Sequence, residues 1–253
     1  MSGSTSAVPR FFVDLALRAD SEVMLPAEVA RHAQVLRLEP GDPLTLFDGT
    51  GGQYRAELVE LGKRTAVART VGFDARELET PYRVTLAQGI AGGDKMDWLI
   101  EKAVELGVAA LAPLSTARGV VRLSGERADK RVAHWQGVVR AACEQCGRNR
   151  VPAVAPVADL AAWLDALPPA ADAELRLMLS PRASIAFAAL PAAAPAGPVT
   201  LLIGPEGGLS PAEEDAARGY GFQAIVLGAR VLRTETAGMA MLAALAARWG
   251  GWA

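Results

Sequence analysis

The chain has 253 residues, of which 51% are hydrophobic, and its formal net charge at pH 7 is −2. This length allows one large domain or two small ones, and the hydrophobic fraction predicts a sizeable core. No apolar run reaches the ~18 residues that a membrane span needs. The N-terminus, MSGSTSAVPR, lacks the apolar segment of a signal peptide. We therefore expect neither a membrane protein nor a secreted one.

The N-terminal part predicts short strands that follow one another closely. Residues 1–8 are expected to be disordered, and a short helix is predicted at 26–36, with Pro26 in its first turn. The predicted strands span 9–13, 43–48, 53–61 and 65–71. So many short strands in a small piece predict a small β-barrel. A charged segment ending in Pro81 follows, and it predicts two domains, at 1–75 and 76–253.

Strands and helices alternate in the rest of the chain. Strands are predicted at 83–90, 108–114, 174–179, 199–204 and 224–228. Helices are predicted from Asp94, a candidate N-cap, to Gly107, and at 126–146, 159–167 and 184–190. This alternation predicts an α/β fold with a mostly parallel, doubly wound sheet.

Basic residues are concentrated between Arg118 and Arg150. This segment holds eight basic and three acidic residues, a net charge of +5, although the whole chain carries −2. Such a basic stripe can contact phosphates. It can equally be the solvated face of a helix, and the residues alone leave both interpretations open.

The two cysteines, Cys143 and Cys146, lie in the sequence CEQC. A zinc site needs four ligands, and the only histidines are His32 and His134, so no metal is expected. A redox C-x-x-C is typical of the start of a helix, whereas this pair ends a long helical pattern. We therefore expect two structural thiols in a cytoplasmic protein.

Two stretches near the C-terminus each begin as a strand and break at glycine. They are Leu201–Ser210, LLIGPEGGLS, and Leu227–Thr236, LGARVLRTET. Ser210 and Glu213 predict a capping box at the start of a helix, with proline at the first helical position. The result is a strand–loop–helix–strand unit whose ligands bind beyond the carboxyl ends of the strands. The glycine loop fits neither common nucleotide signature, and alone it could be a plain tight turn.

The last helix is predicted to be capped by Thr234 or Thr236. Residues 237–247 carry no charge, and a helix that is apolar all round must be buried on all sides. Either it lies deep within one domain or a second subunit covers one face. We favour a homodimer.

The pair GPEGGLS and LGxRVLRTETA closely resembles the SPOUT-class RNA methyltransferases, in particular the RsmE family of 16S ribosomal RNA uridine-N3 methyltransferases. Further blocks are similar to that family, and together they cover nearly the whole chain. They are Val35–Arg37, Leu46–Gly49, Glu105–Val108, Ala141–Arg150 and Pro181–Ser184.

The resemblance implies an N-terminal PUA-like RNA-binding barrel and a C-terminal SPOUT domain with a trefoil knot. It also implies a homodimer, S-adenosylmethionine as the cofactor and the small ribosomal subunit as the substrate. The barrel could instead merely support the second domain. Two rival functions are a ribose 2′-O-methyltransferase on the same scaffold and a non-catalytic ribosome-assembly factor.

Backbone groups of the two C-terminal stretches suit the adenine and ribose of that cofactor. The expected cofactor-binding residues are Leu179, Leu202, Ile203, Gly204, Gly207, Gly208, Leu227, Gly228, Val231, Leu232, Thr234 and Thr236.

Charged residues of the same stretches are the candidate catalytic groups. Uracil N3–H must lose its proton before N3 can attack, and a positive group near O2 or O4 favours the anion. Arg230 or Arg233 can supply that charge, and Glu206 or Glu235 can accept the proton. Alternatively, Arg233 and Glu235 form an ion pair that braces the loop.

The target base must be unpaired or flipped, because N3 lies on its Watson–Crick edge. The barrel and the basic stripe would hold the surrounding RNA through its phosphates. The candidate RNA contacts are Arg10, Arg37, Gln145, Arg148 and Arg150.

Overall fold

The computed structural model describes residues 8–252, so the disorder predicted for residues 1–7 lies outside the described residues. The chain divides into two compact units. The first holds residues 8–79 together with Cys143–Val151, and the second holds Thr80–Ala142 together with 152–252. Within the described residues, no helix is both long and apolar enough to cross a membrane.

The first unit is built on one sheet and one helix. Its elements are β1 (Arg10–Phe12), β2 (Glu22–Leu25), α1 (Ala27–Val35), β3 (Pro43–Phe47), β4 (Gln53–Leu61) and β5 (Ala66–Asp74). In the described residues the strand order is β1-β3-β4-β5-β2, with β1 parallel to β3 and the other pairs antiparallel. The four predicted strands are confirmed to within a few residues. The helix is confirmed too, but Pro26 is its N-cap and not a residue of its first turn.

Strand β2 was not predicted, because it buries little apolar surface. Only Leu25 of its four residues is buried, and Met24 is exposed. The strand forms by pairing with β5, in a register that sets Glu22 opposite Arg69. That pairing depends on contacts far away in the sequence, which local periodicity does not reveal.

The segment Cys143–Val151 completes the first unit. The backbone N–H of Val151 donates to the carbonyl of Gly49 across 3.2 Å. Asn149 is fully buried: its Nδ2 donates to the carbonyl of Arg76 (2.7 Å), and its Oδ1 accepts from Arg10 (2.8 Å). A buried polar side chain costs free energy unless it is hydrogen-bonded, so these bonds fix the segment in place.

The second unit contains a parallel sheet with helices. Its elements are β6 (Val84–Gly89), α2 (Lys95–Glu105), β7 (Ala110–Ser115), α3 (Gly125–Cys146), β8 (Ala153–Val154), β9 (Ala158–Asp159), α4 (Leu160–Asp165), β10 (Leu175–Leu179), β11 (Ile185–Ala186), β12 (Val199–Ile203), α5 (Pro211–Gly219), β13 (Gln223–Val226) and α6 (Thr234–Trp249). The last turn of α3 belongs to the first unit. The strand order is β11-β13-β10-β12-β6-β7-β8, and β9 also pairs with β7. Every recorded pairing of these strands is parallel, which confirms the predicted sheet.

The helix predicted at 184–190 is wrong. Ile185 and Ala186 form the edge strand β11, paired with β13, and Phe187–Ala189 form a 3₁₀ turn. Short segments have weak helical preference of their own. A helix of only seven residues leaves most of its backbone N–H and C=O groups without internal partners. Pairing with the edge of β13 supplies such partners to Ile185 and Ala186.

The predicted cap of α6 is also wrong. Its N-cap is Arg233, without a side-chain capping bond, and the hydroxyl of Thr234 donates to the carbonyl of Gly204 instead. Helix α6 contacts α2 and β12 and buries Met241, Leu242 and Leu245. Ala247 is exposed, so α6 is not buried on every side by the described chain.

Candidate functional site

A cavity of about 480 Å³ opens at the carboxyl ends of three neighbouring strands of the second unit. Its walls come from the loops that follow β10, β12 and β13. Parallel strands end at the same edge of a sheet, so these loops converge there, as ligand-binding loops do in α/β folds. The volume suits a small organic ligand or cofactor.

The glycine loop after β12 needs its glycines for close packing. A Cβ on Gly204 would lie 2.6 Å from the backbone nitrogen of Leu209, and Gly208 has a φ of +66°. The turn is closed by the N–H of Gly208, which donates to the carbonyl of Pro205 across 2.8 Å. The predicted capping box follows: Ser210 Oγ accepts from the N–H of Glu213, whose carboxylate accepts from the N–H of Ser210.

Most residues predicted to bind the cofactor line this cavity. They are Leu179, Ile203, Gly204, Gly207, Gly208, Leu227, Val231, Leu232 and Thr234. Leu202, Gly228 and Thr236 are not part of the lining. Leu202 is fully buried in a core cluster with Met178 and Leu209, because successive side chains of a strand point to opposite faces. The roles of all these residues stay predictions.

All four predicted catalytic residues line the cavity, but the two carboxylates differ in their partners. Glu206 Oε1 accepts from Lys95 Nζ at 2.9 Å and from the backbone N–H of Gly92 at 3.0 Å. Partial burial alone would raise the pKa of Glu206, but the hydrogen bonds outweigh it and the pKa is lowered. Glu206 is therefore a weak base.

Glu235 is placed differently, in the first turn of α6. Its Oε2 is buried and has no hydrogen-bond partner among the described residues. The described residues also show no ion pair between Glu235 and Arg233, the alternative considered above. Arg230 and Arg233 are both exposed at the cavity. The cavity thus combines an unpaired acceptor with two guanidinium groups.

Several polar residues of the cavity were not predicted. Arg118 donates to the carbonyls of Gly207 and Leu209, each at 3.3 Å, and so braces the glycine loop. At the other wall, the buried carboxylate of Glu214 accepts from Arg182 at 2.6 Å and from Ser180 at 2.8 Å. Arg182 lies in the block Pro181–Ser184, which is similar to the family, but the resemblance assigns it no role.

The candidate RNA contacts of the first unit fall into two groups. Arg37, Gln145 and Arg150 are exposed. Arg148 is only 3% exposed, and its Nε donates to Glu79 at 2.9 Å while Nη2 bonds the second carboxylate oxygen. Arg10 is half-buried and bonded to Gln53 and Asn149. The buried guanidinium of Arg148 is held by Glu79 and is not open to a phosphate, which corrects the prediction of Arg148 as an RNA contact.

The two cysteines are not joined by a disulfide. Burial raises the pKa of the Cys143 thiol to about 12, and its Sγ donates to the carbonyl of Arg150. A thiol with so high a pKa is a poor nucleophile at neutral pH. The described residues contain no group of three His, Cys, Asp or Glu side chains that could hold a metal ion.

Comparisons with known proteins agree with this architecture. A family model described as an RNA methyltransferase domain matches residues 78–246, and one described as an RNA methyltransferase PUA domain matches residues 25–71. The ribosomal RNA small subunit methyltransferase E of Buchnera aphidicola is 31% identical, over 96% of this chain and 97% of the relative. The protein of the same name from Bacillus subtilis is 30% identical, over 93% and 95%.

A solved structure is similar over the same extent. The ribosomal RNA small subunit methyltransferase E of Neisseria gonorrhoeae, bound to S-adenosyl methionine, is 40% identical and has a TM-score of 0.89. The match covers 96% of this chain and 98% of that one. The family match spans the glycine loop and the loop that follows β13, where the cavity lies. The chain belongs to the ribosomal RNA small subunit methyltransferase E family, the RsmE family of RNA methyltransferases.

Proposed function

We propose that this protein transfers a methyl group from S-adenosylmethionine to N3 of a uridine in the 16S RNA of the small ribosomal subunit. The observation that carries this proposal is the cavity at the carboxyl ends of β10, β12 and β13. It combines a close-packed glycine loop with an unpaired carboxylate and two arginines, in a chain of the RsmE family. The Neisseria gonorrhoeae relative was crystallised with S-adenosyl methionine.

The residues present fit this cofactor. Gly204, Gly207 and Gly208 leave the main chain bare along one wall, so backbone groups can approach a neutral adenine and ribose. Leu179, Leu227 and Leu232 supply apolar surface around them. Bound S-adenosylmethionine supplies a methyl group on a positively charged sulfur. The chain's own contribution is then alignment and the activation of the acceptor base.

Glu235 is the better candidate for the proton acceptor. Its Oε2 is buried without a partner among the described residues, so a rotation of the side chain that presents it to the uracil N3–H would break no existing hydrogen bond of that atom. Glu206 is held by Lys95 and Gly92, and its lowered pKa makes it a weaker base. Glu206 is therefore assigned to bracing the two loops.

Arg230 and Arg233 would stabilise the negative charge that develops on uracil O2 or O4. Both side chains line the cavity on the loop that follows β13, and among the described residues neither forms an ion pair with a carboxylate of that loop. This places two positive charges within reach of a base entering the cavity.

The first unit would hold the RNA around the target. Its candidate contacts are Arg10, Arg37, Gln145 and Arg150. The same proposal includes a domain boundary near residue 75 and a trefoil knot formed by the C-terminal loops. It also includes a homodimer that covers α6 and a cytoplasmic location. They are supported by the family and, for the dimer, by the exposed side of α6.

Mapping of modified bases tests the proposal. The 16S RNA of a deletion strain and of the complemented strain is digested and analysed by mass spectrometry. We expect one 3-methyluridine to be lost on deletion and restored by the intact gene. Loss of a 2′-O-methyl group instead would favour the first rival, and an unchanged pattern would favour the non-catalytic factor.

A further inference from the structure

Gln88 lies in β6, an inner strand of the parallel sheet, and contacts two residues that line the cavity. It is the fifth residue of β6, where it pairs in register with Ile203 of β12 and Pro113 of β7. Its side chain is fully buried. A carboxamide in a buried strand costs free energy unless its polar atoms are hydrogen-bonded.

The Nε2 atom of Gln88 faces three oxygens that belong to three different segments. It lies 2.8 Å from the carbonyl of Gly89, 2.9 Å from Oγ1 of Thr234 and 3.3 Å from the carbonyl of Gly204. Carbonyl oxygens only accept hydrogen bonds, so the group that faces them must be the NH₂. The orientation of the amide is thereby fixed, and it leaves Oε1 of Gln88 buried without a hydrogen-bond partner among the described residues.

The hydroxyl of Thr234 then has only one arrangement that satisfies every partner. It accepts from Gln88, and it donates its own proton to the carbonyl of Gly204 across 2.6 Å. The bonds thus run from Gln88 to Thr234 to Gly204. A glutamate at position 88 could not begin this series when ionised, because it has no proton to donate.

This series joins the two loops that form the cavity. Gly204 begins the glycine loop after β12, and Thr234 is the first residue of α6, directly after the second loop. Both residues line the cavity, whereas Gln88 does not. One buried side chain therefore donates to both cavity loops and orients the hydroxyl that joins them.

We propose that Gln88 is a positioning residue for the methyl donor: it holds the glycine loop and the start of α6 in the relative arrangement that binds S-adenosylmethionine. This inference depends on the proposed function for the identity of the ligand. Gln88 touches neither donor nor acceptor, so it acts through Thr234 and Gly204. Its effect falls on the affinity for the donor.

The test is isothermal titration of S-adenosylmethionine into the full-length protein and its variants. Gln88→Met keeps the length of the side chain but removes the amide, and we expect the Kd to rise about tenfold or more. The matched control is Gln136→Met in the same unit. Gln136 donates to the carbonyl of Pro152 and accepts from the N–H of Val154, both at 3.0 Å, away from the cavity. Gln136→Met also removes a bonded amide from this unit, and it should leave the Kd unchanged.

The threonine supplies a second set of variants if Gln88→Met does not fold. Thr234→Ser keeps the hydroxyl and Thr234→Val removes it, so Thr234→Ser should bind the donor more tightly than Thr234→Val, which should bind about as weakly as Gln88→Met. The double variant should be no weaker than the weaker single variant, because both changes break the same series.

Three results overturn the inference. They are an unchanged Kd in Gln88→Met, equal Kd values for Thr234→Ser and Thr234→Val, and a double variant whose loss is the product of the two single losses. If the wild-type protein itself binds no S-adenosylmethionine, the proposed function fails instead. The two failures are therefore distinguishable.

Discussion

Lys95 donates to the carboxylate of Glu206 across 2.9 Å, at the edge of the cavity. The same carboxylate oxygen accepts from the backbone N–H of Gly92. This pair therefore connects the loop after β6 with the glycine loop after β12. It also separates the roles of Glu206 and Glu235, since Glu206 Oε1 holds two donors whereas Oε2 of Glu235 is buried without a partner among the described residues.

Glu235→Gln should lower kcat for methyl transfer by about 10²-fold or more, the typical contribution of a general base. Donor binding should be largely retained, because the amide has the same shape as the carboxylate. Glu206→Gln is the control, and we expect it to lower kcat less than tenfold. Transfer of a radioactive methyl group to small-subunit RNA measures both. Equal losses in the two variants would contradict the assignment of Glu235.

Arg233→Ala should abolish methyl transfer while the fold stays intact. The side chain is exposed at the cavity and makes no capping bond, so its removal costs little stability. Circular dichroism and the unfolding temperature check the fold, and the methyl-transfer assay checks the activity. Full activity in this variant would remove Arg233 from the mechanism.

Lys95→Met should destabilise the protein by about 0.5 kcal/mol at pH 7, as expected for a partly exposed ion pair. The pKa of folded Glu206 lies below its ordinary value of 4.5, so the pair stabilises fully above that pH. As the pH falls through the folded pKa, this stabilisation disappears, and the variant should approach the wild type. Urea denaturation at pH 7 and at acidic pH measures the difference, and a difference that grows at acidic pH would be the opposite result.

Arg148→Met should destabilise the protein by about 3 kcal/mol, because it removes the buried partner of Glu79. Arg150→Met is the matched control two residues away. Arg150 is exposed and lies 3.4 Å from Glu77, so its loss should cost less than about 1 kcal/mol. Urea denaturation at pH 7 compares them. A comparable loss in both variants would mean that burial does not distinguish these arginines.

Alkylation should distinguish Cys143 from an ordinary thiol. Burial raises its pKa to about 12, so almost none of it is thiolate at pH 8. We expect iodoacetamide to leave Cys143 unmodified in the native protein and to modify it in denaturant, as read by mass spectrometry of peptides. Rapid modification of the native protein would show that the thiol is accessible.

The sequence was sufficient where local chemistry determines the structure. Ser210 and Glu213 form the predicted capping box, and the run from Val199 forms the predicted strand. The parallel sheet was equally predictable, because alternation of apolar strands and helices admits few other arrangements. In these regions the local preferences and the tertiary packing agree.

Local patterns failed where distant contacts decide. Strand β2 and the edge strand β11 form by pairing with strands that are remote in sequence. Thr234 is a good capping residue by type, but the carbonyl of Gly204 takes its hydroxyl. Gln88 carried a usable signal, a single amide in the mainly apolar strand VTLAQG, yet its partners could be identified only in three dimensions.

Completion of the first unit by Cys143–Val151 has a consequence for how the polypeptide is made. During synthesis, residues 8–79 leave the ribosome well before Asn149 does, and until then Arg10 and Arg76 lack the partner that they bond in the finished protein. The N-terminal unit therefore cannot reach its final state ahead of the rest. For the same reason, recombination could not transfer the complete N-terminal unit to another gene as one contiguous segment.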